Sequence, residues 1–219
     1  MILQALNRYY DILQADKDIE VAEFGYGAIN VSFALDISKK GKLLNVLPLF
    51  EQVQRGKKMR DMPRSMELPA RVKRSVNIAP NFLWDNNVYV LGISEKDDSK
   101  PDYSRDRFDA FCKLHTELLS ESTSNAAQAM LSFLEAHDPA TARQHPAIAN
   151  HLETILKGGN LVFMFQGAFV HDDPVVRKIW ETYKVNQETV RRQCLVTGKM
   201  ESIARLHPSL KGVRGARSG

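Results

Sequence analysis

Ile29-Asn-Val-Ser-Phe-Ala-Leu-Asp-Ile37 alternates without a break, with Ile29, Val31, Phe33, Leu35 and Ile37 on one face and Asn30, Ser32, Ala34 and Asp36 on the other. A period of two over nine residues is a half-buried β-strand. Working outward, Ser38-Lys-Lys-Gly41 reads as a turn into a second strand over residues 42–49, so the pair forms a hairpin. Upstream, apolar positions over residues 2–13 recur at helical spacing and predict an amphipathic helix. Downstream, residues 51–74 lose periodicity and gain charge, which predicts an exposed loop that orders on a ligand. Residues 88–91 read as a return to strand.

The middle of the chain is helical. Phe108, Phe111, Cys112, His115, Leu118 and Leu119 share a stripe over residues 107–119, and Ser124 caps a helix bearing Ala127, Met130, Leu131 and Leu134. A third helix opens at Pro146 and stops at Gly158-Gly159. Then residues 160–166 form an apolar buried strand, and Asp173-Pro174 begins a last helix with Val176, Ile179, Trp180 and Tyr183 inward. Cys194-Leu-Val-Thr-Gly198 and Ile203-Ala-Arg-Leu-His-Pro208 suggest a short hairpin before a glycine-containing tail. Strands, then helices, then strands indicate an α+β domain, an antiparallel or mixed sheet with an inserted helical block. The expected subdivision is 1–100 for hairpin and basic loop, 101–158 for the helical block, and 159–219 for strands, helix and basic tail.

A length of 219 residues supports one well-cored domain. Cys112 and Cys194 lie far apart with no CxxC spacing, which argues against a disulfide scaffold or zinc ribbon and fits a reducing cytoplasm. The sequence has no signal-peptide core and no apolar run of membrane-spanning length. The net charge of +4 hides a partition: residues 55–74 and 191–219 carry +6 each, which leaves −8 for the rest. An acidic body with concentrated basic segments suits a polyanionic partner at a defined place.

Directly after Arg71-Val-Lys73-Arg74 comes Ser75-Val-Asn-Ile-Ala-Pro-Asn-Phe-Leu-Trp-Asp-Asn-Asn-Val-Tyr-Val-Leu-Gly92. Asn77, Asn81, Asn86 and Asn87 can each donate and accept hydrogen bonds, and Phe82, Trp84 and Tyr89 offer flat apolar faces. No phosphate loop, dinucleotide fingerprint, HExxH or GxSxG elbow is present. Two His-Asp dipeptides, His137-Asp138 and His171-Asp172, could ligate metal in a nuclease, but the other ligands have no evident source. The simpler reading is that Asp172 or Asp173 is a cap and that Asp138 begins a turn. His115 on its apolar stripe reads as a hydrogen-bonded histidine at the core edge, and Cys112 as a small buried hydrophobe.

The opening Met-Ile-Leu-Gln-Ala-Leu-Asn-Arg-Tyr-Tyr, the block Ile78-Ala-Pro-Asn-Phe-Leu-Trp-Asp-Asn86 with Tyr89-Val-Leu-Gly92, the Phe169-Val-His171 turn, Cys194–Gly198 with residues 203–208, and Lys211-Gly-Val-Arg-Gly215 occur in order along the whole chain. Together they resemble the large subunit of the type I-C CRISPR surveillance complex, Cascade. Family members are much longer, so the chain is expected to be an N-terminal fragment of about the first third; Arg217 stands where the family carries glutamine. The resemblance implies a non-catalytic subunit with no cofactor and no membrane partner. Its implied partners are target double-stranded DNA, the 5′ end of the guide RNA, other Cascade subunits and a helicase-nuclease. It would help recognise the protospacer-adjacent motif and start strand separation, while guide pairing reads the sequence. On that reading Lys57, Lys58, Arg60, Arg64, Arg71, Lys73 and Arg74 contact phosphates, and Asn77, Asn81, Asn86 and Asn87 contact a groove or the motif. Phe82 or Trp84 acts as wedge or, more simply, as loop anchor. The alternatives are a scaffold gripping guide RNA and neighbouring subunits, and a metal-dependent nuclease using the His-Asp dyads.

Overall fold

The alternating run is interrupted at one residue, Ser32, where one expected strand becomes two: β1 (Tyr26–Val31) and β2 (Phe33–Ile37). The Ser32 amide donates to the Asn160 carbonyl at 2.8 Å, and its own carbonyl accepts from Leu49 at 2.8 Å. It therefore joins three segments where the chain changes sheets. The computed structural model describes residues 2–16, 21–56, 58–74, 77–100, 102–187 and 191–202. They divide into two compact units, residues 22–181 and residues 1–21 with 182–219.

The larger unit is built on β2, whose Phe33, Ala34, Leu35 and Ile37 are all buried. Burial on both faces explains why the apolar set outgrows one side of the alternation. β2 pairs antiparallel with β3 (Leu43–Pro48), the hairpin expected from the sequence, and parallel with β7 (Asn160–Phe165) in the register Phe33↔Leu161. A parallel pair needs a long crossover, and the inserted helical block provides it. β6 (Trp84–Asn86) joins the far side of β7, and β8 (Ala168–Phe169) also pairs with β7. The architecture is α+β, as the sequence indicates.

The crossover carries α2 (Asn87–Val90), a 3-10 turn at Glu95–Asp98, α3 (Asp102–Leu119), α4 (Asn125–Ala136) and the short helices α5 (Pro139–Ala142), α6 (Pro146–Ala149) and α7 (Leu152–Leu156). Two expectations change here. Residues 88–90 are helical and Leu91 is the C-cap, because the Asn86 side chain accepts from the Val88 amide at 3.1 Å and caps a helical turn. The helix expected from Pro146 is two short pieces with a break at Asn150 and His151. Ser124 caps α4 as expected, accepting from Ala127 at 3.1 Å. Asp173 likewise caps α8 (Pro174–Gln187), accepting from Val175 and Val176 at 2.8 and 3.2 Å.

Residues 51–69 are not a loop. β4 (Phe50–Arg55) and β5 (Lys58–Pro69) form an antiparallel hairpin, and the second half of β5 pairs with β1. Gly56, at φ +64°, supplies the left-handed residue that the two-residue turn needs. The period of two is lost because the outer hairpin leaves the core, so neither face has to be apolar.

Gly41 fixes the β2–β3 turn to α4. It sits at φ +72°, and a Cβ there would fall inside the peptide linking Ser132 and Phe133. Gly41→Ala combines left-handed strain with a backbone collision, so we expect a loss of about 2 kcal/mol or more. Thermal unfolding should show it as a midpoint lowered by several degrees; an unchanged midpoint would mean the turn does not dock on α4.

In the smaller unit, α1 (Ile2–Ala15) is the expected amphipathic helix and buries no residue. β9 (Arg191–Gln193) and β10 (Met200–Ser202) form a C-terminal hairpin, but Cys194–Gly198, expected as part of its strands, is in the turn between them. Residues 203–208 of that expectation lie outside the described residues.

Candidate nucleic-acid interface

The asparagine-aromatic segment is a keystone of the larger unit. Phe82 and Trp84 are fully buried. Phe82 lies between His115 and Trp180, stacked at 5.4 and 5.2 Å with interplanar angles of 9° and 11°. Trp84 donates its indole N–H to the Pro69 carbonyl at 2.8 Å. Between them Leu83 adopts φ +66°, which is unusual for a branched residue. Its amide donates to His115 Nε2 at 2.8 Å, so His115 Nδ1 carries the proton and donates to the Phe111 carbonyl at 2.7 Å. Burial lowers the pKa of His115 to about 4. Phe82 and Trp84 are loop anchors; a wedge would have to leave the core.

Asp85 organises the next layer. Its buried carboxylate receives both Arg74 guanidinium nitrogens and the amides of Asn81 and Asn86, at 2.9 and 2.8 Å. Arg74 also donates Nε to the Ala79 carbonyl and lies over the Tyr89 ring at 4.2 Å. Three of its five N–H donors and its ring-facing side are engaged inside the fold, so a structural ion pair stands where a phosphate contact is expected at Arg74. Asn81 and Asn87 are corrected likewise. Asn81 is buried and accepts from Val72 at 2.9 Å, and Asn87 is buried and donates to the Ile93 carbonyl at 2.7 Å. Asn86 is half-buried with its oxygen spent on the α2 cap, while Asn77 is exposed.

The remaining cations fall into two groups. Side chains two apart on a strand share a face, so Lys58, Arg60, Met62, Arg64, Met66 and Leu68 form one row of β5. At its inner end this row is core: Leu68 is fully buried, and Met66 packs against the same cluster. Further out the row becomes Arg64, Arg60 and Lys58, all exposed. Glu51, paired opposite Met62, lies on that face and meets Arg64 at 3.5 Å. Arg71 and Lys73 are exposed beyond the other end of β5, and the Arg71 guanidinium sits over Trp84 at 5.4 Å. At about 3.4 Å per residue, the strand puts about 40 Å between Lys58 and Arg71, and about 24 Å between Arg64 and Arg71. Lys57 lies outside the described residues.

The His-Asp dipeptides are not brought together with other ligands. His137 Nε2 bonds the Leu91 carbonyl at 3.0 Å and Asp138 caps α5. His171 is buried in a 3-10 turn while Asp172 is exposed. Among the described residues, no group of three or more His, Cys, Asp or Glu side chains is placed to hold a metal ion. Cys112 is half-buried, and burial pushes its thiol up to about 12, which favours the neutral thiol. No helix among the described residues is long and apolar enough to cross a membrane. Sequence reasoning also passed over three lysines, Lys39, Lys40 and Lys42, because it read their segment only as a turn.

Residues 6–219 match the family described as CRISPR-associated protein (Cas_Csd1). The chain belongs to this family. It is a Cascade-type CRISPR subunit, with other Cascade components as its partners. No curated protein matches it.

Proposed function

We propose that the chain is the part of a type I-C Cascade large subunit that grips duplex DNA beside the guide-matched target, helps recognise the protospacer-adjacent motif and starts strand separation. It does so without catalysing bond cleavage, in the cytoplasm, where Cys112 and Cys194 stay reduced. The observation that carries this reading is the row Lys58, Arg60 and Arg64 along one face of a projecting two-stranded ribbon. Such a ribbon fits the width of the B-DNA major groove, and cations on one face can engage phosphates together. Arg71 and Lys73 add a second phosphate-contacting group, and Asn77 is the asparagine free to probe a groove edge. Guide RNA at its 5′ end, the neighbouring Cascade subunits and the helicase-nuclease complete the proposed partner set.

A footprint of the assembled complex on duplexes with and without the motif tests this reading. Protection of the motif-proximal flank should appear on the motif-bearing duplex and shrink when Lys58 and Arg60 are replaced by alanine. Crosslinks from residues 58–64 to guide RNA, with an unchanged DNA footprint, would instead make the chain a guide-gripping scaffold.

A further inference from the structure

A second concave site lies about the β2–β3 turn. It is an open groove of about 500 Å³ between that turn and the segment from the end of α4 to His145, lined by Lys40, Lys42, Asp138 and His145 on its polar side and by apolar residues including Leu43 and Phe133 elsewhere. The turn is held rigidly. Ser38 N–H donates to the Lys42 carbonyl at 2.9 Å, Gly41 N–H to the Ser38 carbonyl at 2.9 Å, and Lys42 N–H to Ser38 Oγ at 3.0 Å. Gly41 presses on the α4 backbone. Lys39, Lys40 and Lys42 thus leave a fixed base, all exposed, and no carboxylate pairs with them among the described residues.

The polar side of this groove suits an anion. His145 Nδ1 accepts from the Ala147 amide at 3.3 Å, which leaves Nε2 as an N–H donor. Asp138 is the opposing charge, but its Oδ1 accepts from Ala140 at 3.0 Å and its Oδ2 lies 3.4 Å from the Thr141 hydroxyl. Its lone pairs are partly spent on capping. We propose that this pocket binds a backbone phosphate of single-stranded nucleic acid, with Lys40 and Lys42 as its charge partners and His145 Nε2 as a neutral donor. A single strand is favoured over a duplex because the site is concave and of nucleotide size, whereas a duplex rod meets a protein across a broad surface. The site is separate from the β4–β5 hairpin and stands whether or not that hairpin holds DNA.

The test uses lysine acetylation read by mass spectrometry on the 219-residue chain, with a 20-nucleotide single strand of thymidines, a duplex of equal length and adenosine monophosphate as probes. Lys40 and Lys42 should be protected by the single strand and not by the other two. K40E/K42E should weaken single-strand binding about tenfold and flatten the salt slope by about 0.7 for each phosphate no longer neutralised, with an unchanged melting curve. K58A/R60A, by contrast, should leave the protection at Lys40 and Lys42 intact. Equal protection by the mononucleotide would make the pocket a nucleotide site, and equal protection by the duplex would remove the single-strand assignment. Absence of protection with all three probes would overturn the site.

Discussion

Replacing His115 by alanine is expected to lower the unfolding free energy by about 3–5 kcal/mol, the largest single-residue effect on stability that we foresee. Two losses add. The imidazole is fully buried between Phe82 and Phe111, with ring centroids 5.4 and 4.0 Å away, so its removal leaves a cavity. It is also the acceptor for the Leu83 amide, which is held at φ +66° and has no water to turn to. His115→Phe separates the two terms: it restores volume but not the acceptor, and should cost about 1–3 kcal/mol. Urea denaturation at neutral pH reads both variants. Equal cost for alanine and phenylalanine would show that packing around Phe82 contributes little.

The same histidine makes the fold acid-sensitive. Its folded pKa of about 4 lies below the ordinary value of 6.5, because burial disfavours the charged ring. Between those values the unfolded chain binds a proton that the folded chain refuses. Stability is therefore full above about pH 6.5, falls as pH drops towards 4 and levels off below that. A gap of this size corresponds to about 3 kcal/mol. His171 is also lowered to about 4 by burial and adds a decline in the same window. His115→Phe should keep the His171 part and lose its own. A pH profile as steep as that of the parent chain would reject this assignment.

The sequence made the body of the fold readable wherever a local rule coincided with the packing. Asp173-Pro174 announces α8 because the cap needs only its own helix, and the run from Ile29 announces extended chain because alternation reflects a buried sheet, but it reads as one strand where the chain changes sheets at Ser32. His115 was placed at the core edge by its stripe, although nothing local showed that its partner would be Leu83, thirty-two residues earlier. The hairpin of residues 50–69 was missed for the opposite reason. Outside the inner end at Met66 and Leu68 its strands are held by cross-strand backbone bonds away from the core, so no hydrophobic period marks them; the Gly56-Lys57 pair is the available signal. The asparagines misled for a related reason. Asn81 and Asn87 satisfy backbone groups inside the fold, a role that depends on Val72 and Ile93 arriving from elsewhere. Composition shows how many hydrogen-bonding groups a segment has, but not which of them the fold has already used.

That distinction sharpens what should happen when the hairpin is discharged. K58A/R60A removes two exposed cations from a row that makes no core contact at those positions, so the melting curve should not move. In the assembled complex, duplex affinity should fall about 10-fold to 100-fold, equally on motif-bearing and scrambled sequences, because phosphates carry no sequence information. The plot of log affinity against log salt should flatten by about 0.9 for each phosphate that the variant leaves unneutralised. Glu51→Gln should act in the opposite direction. It frees Arg64 from its 3.5 Å pair and removes the acidic charge from that face, so affinity should rise several-fold at low salt for a surface pair worth less than about 1 kcal/mol to the fold. Arg71 and Lys73, about 40 Å from Lys58 along β5, give an internal ruler. If one duplex spans both groups, R71A/K73A should weaken binding to long duplexes but not to those shorter than about 12 base pairs, at about 3.4 Å per pair. Equal weakening at every length would place the two groups on different ligands. An unchanged salt slope in K58A/R60A would take the hairpin out of the interface altogether.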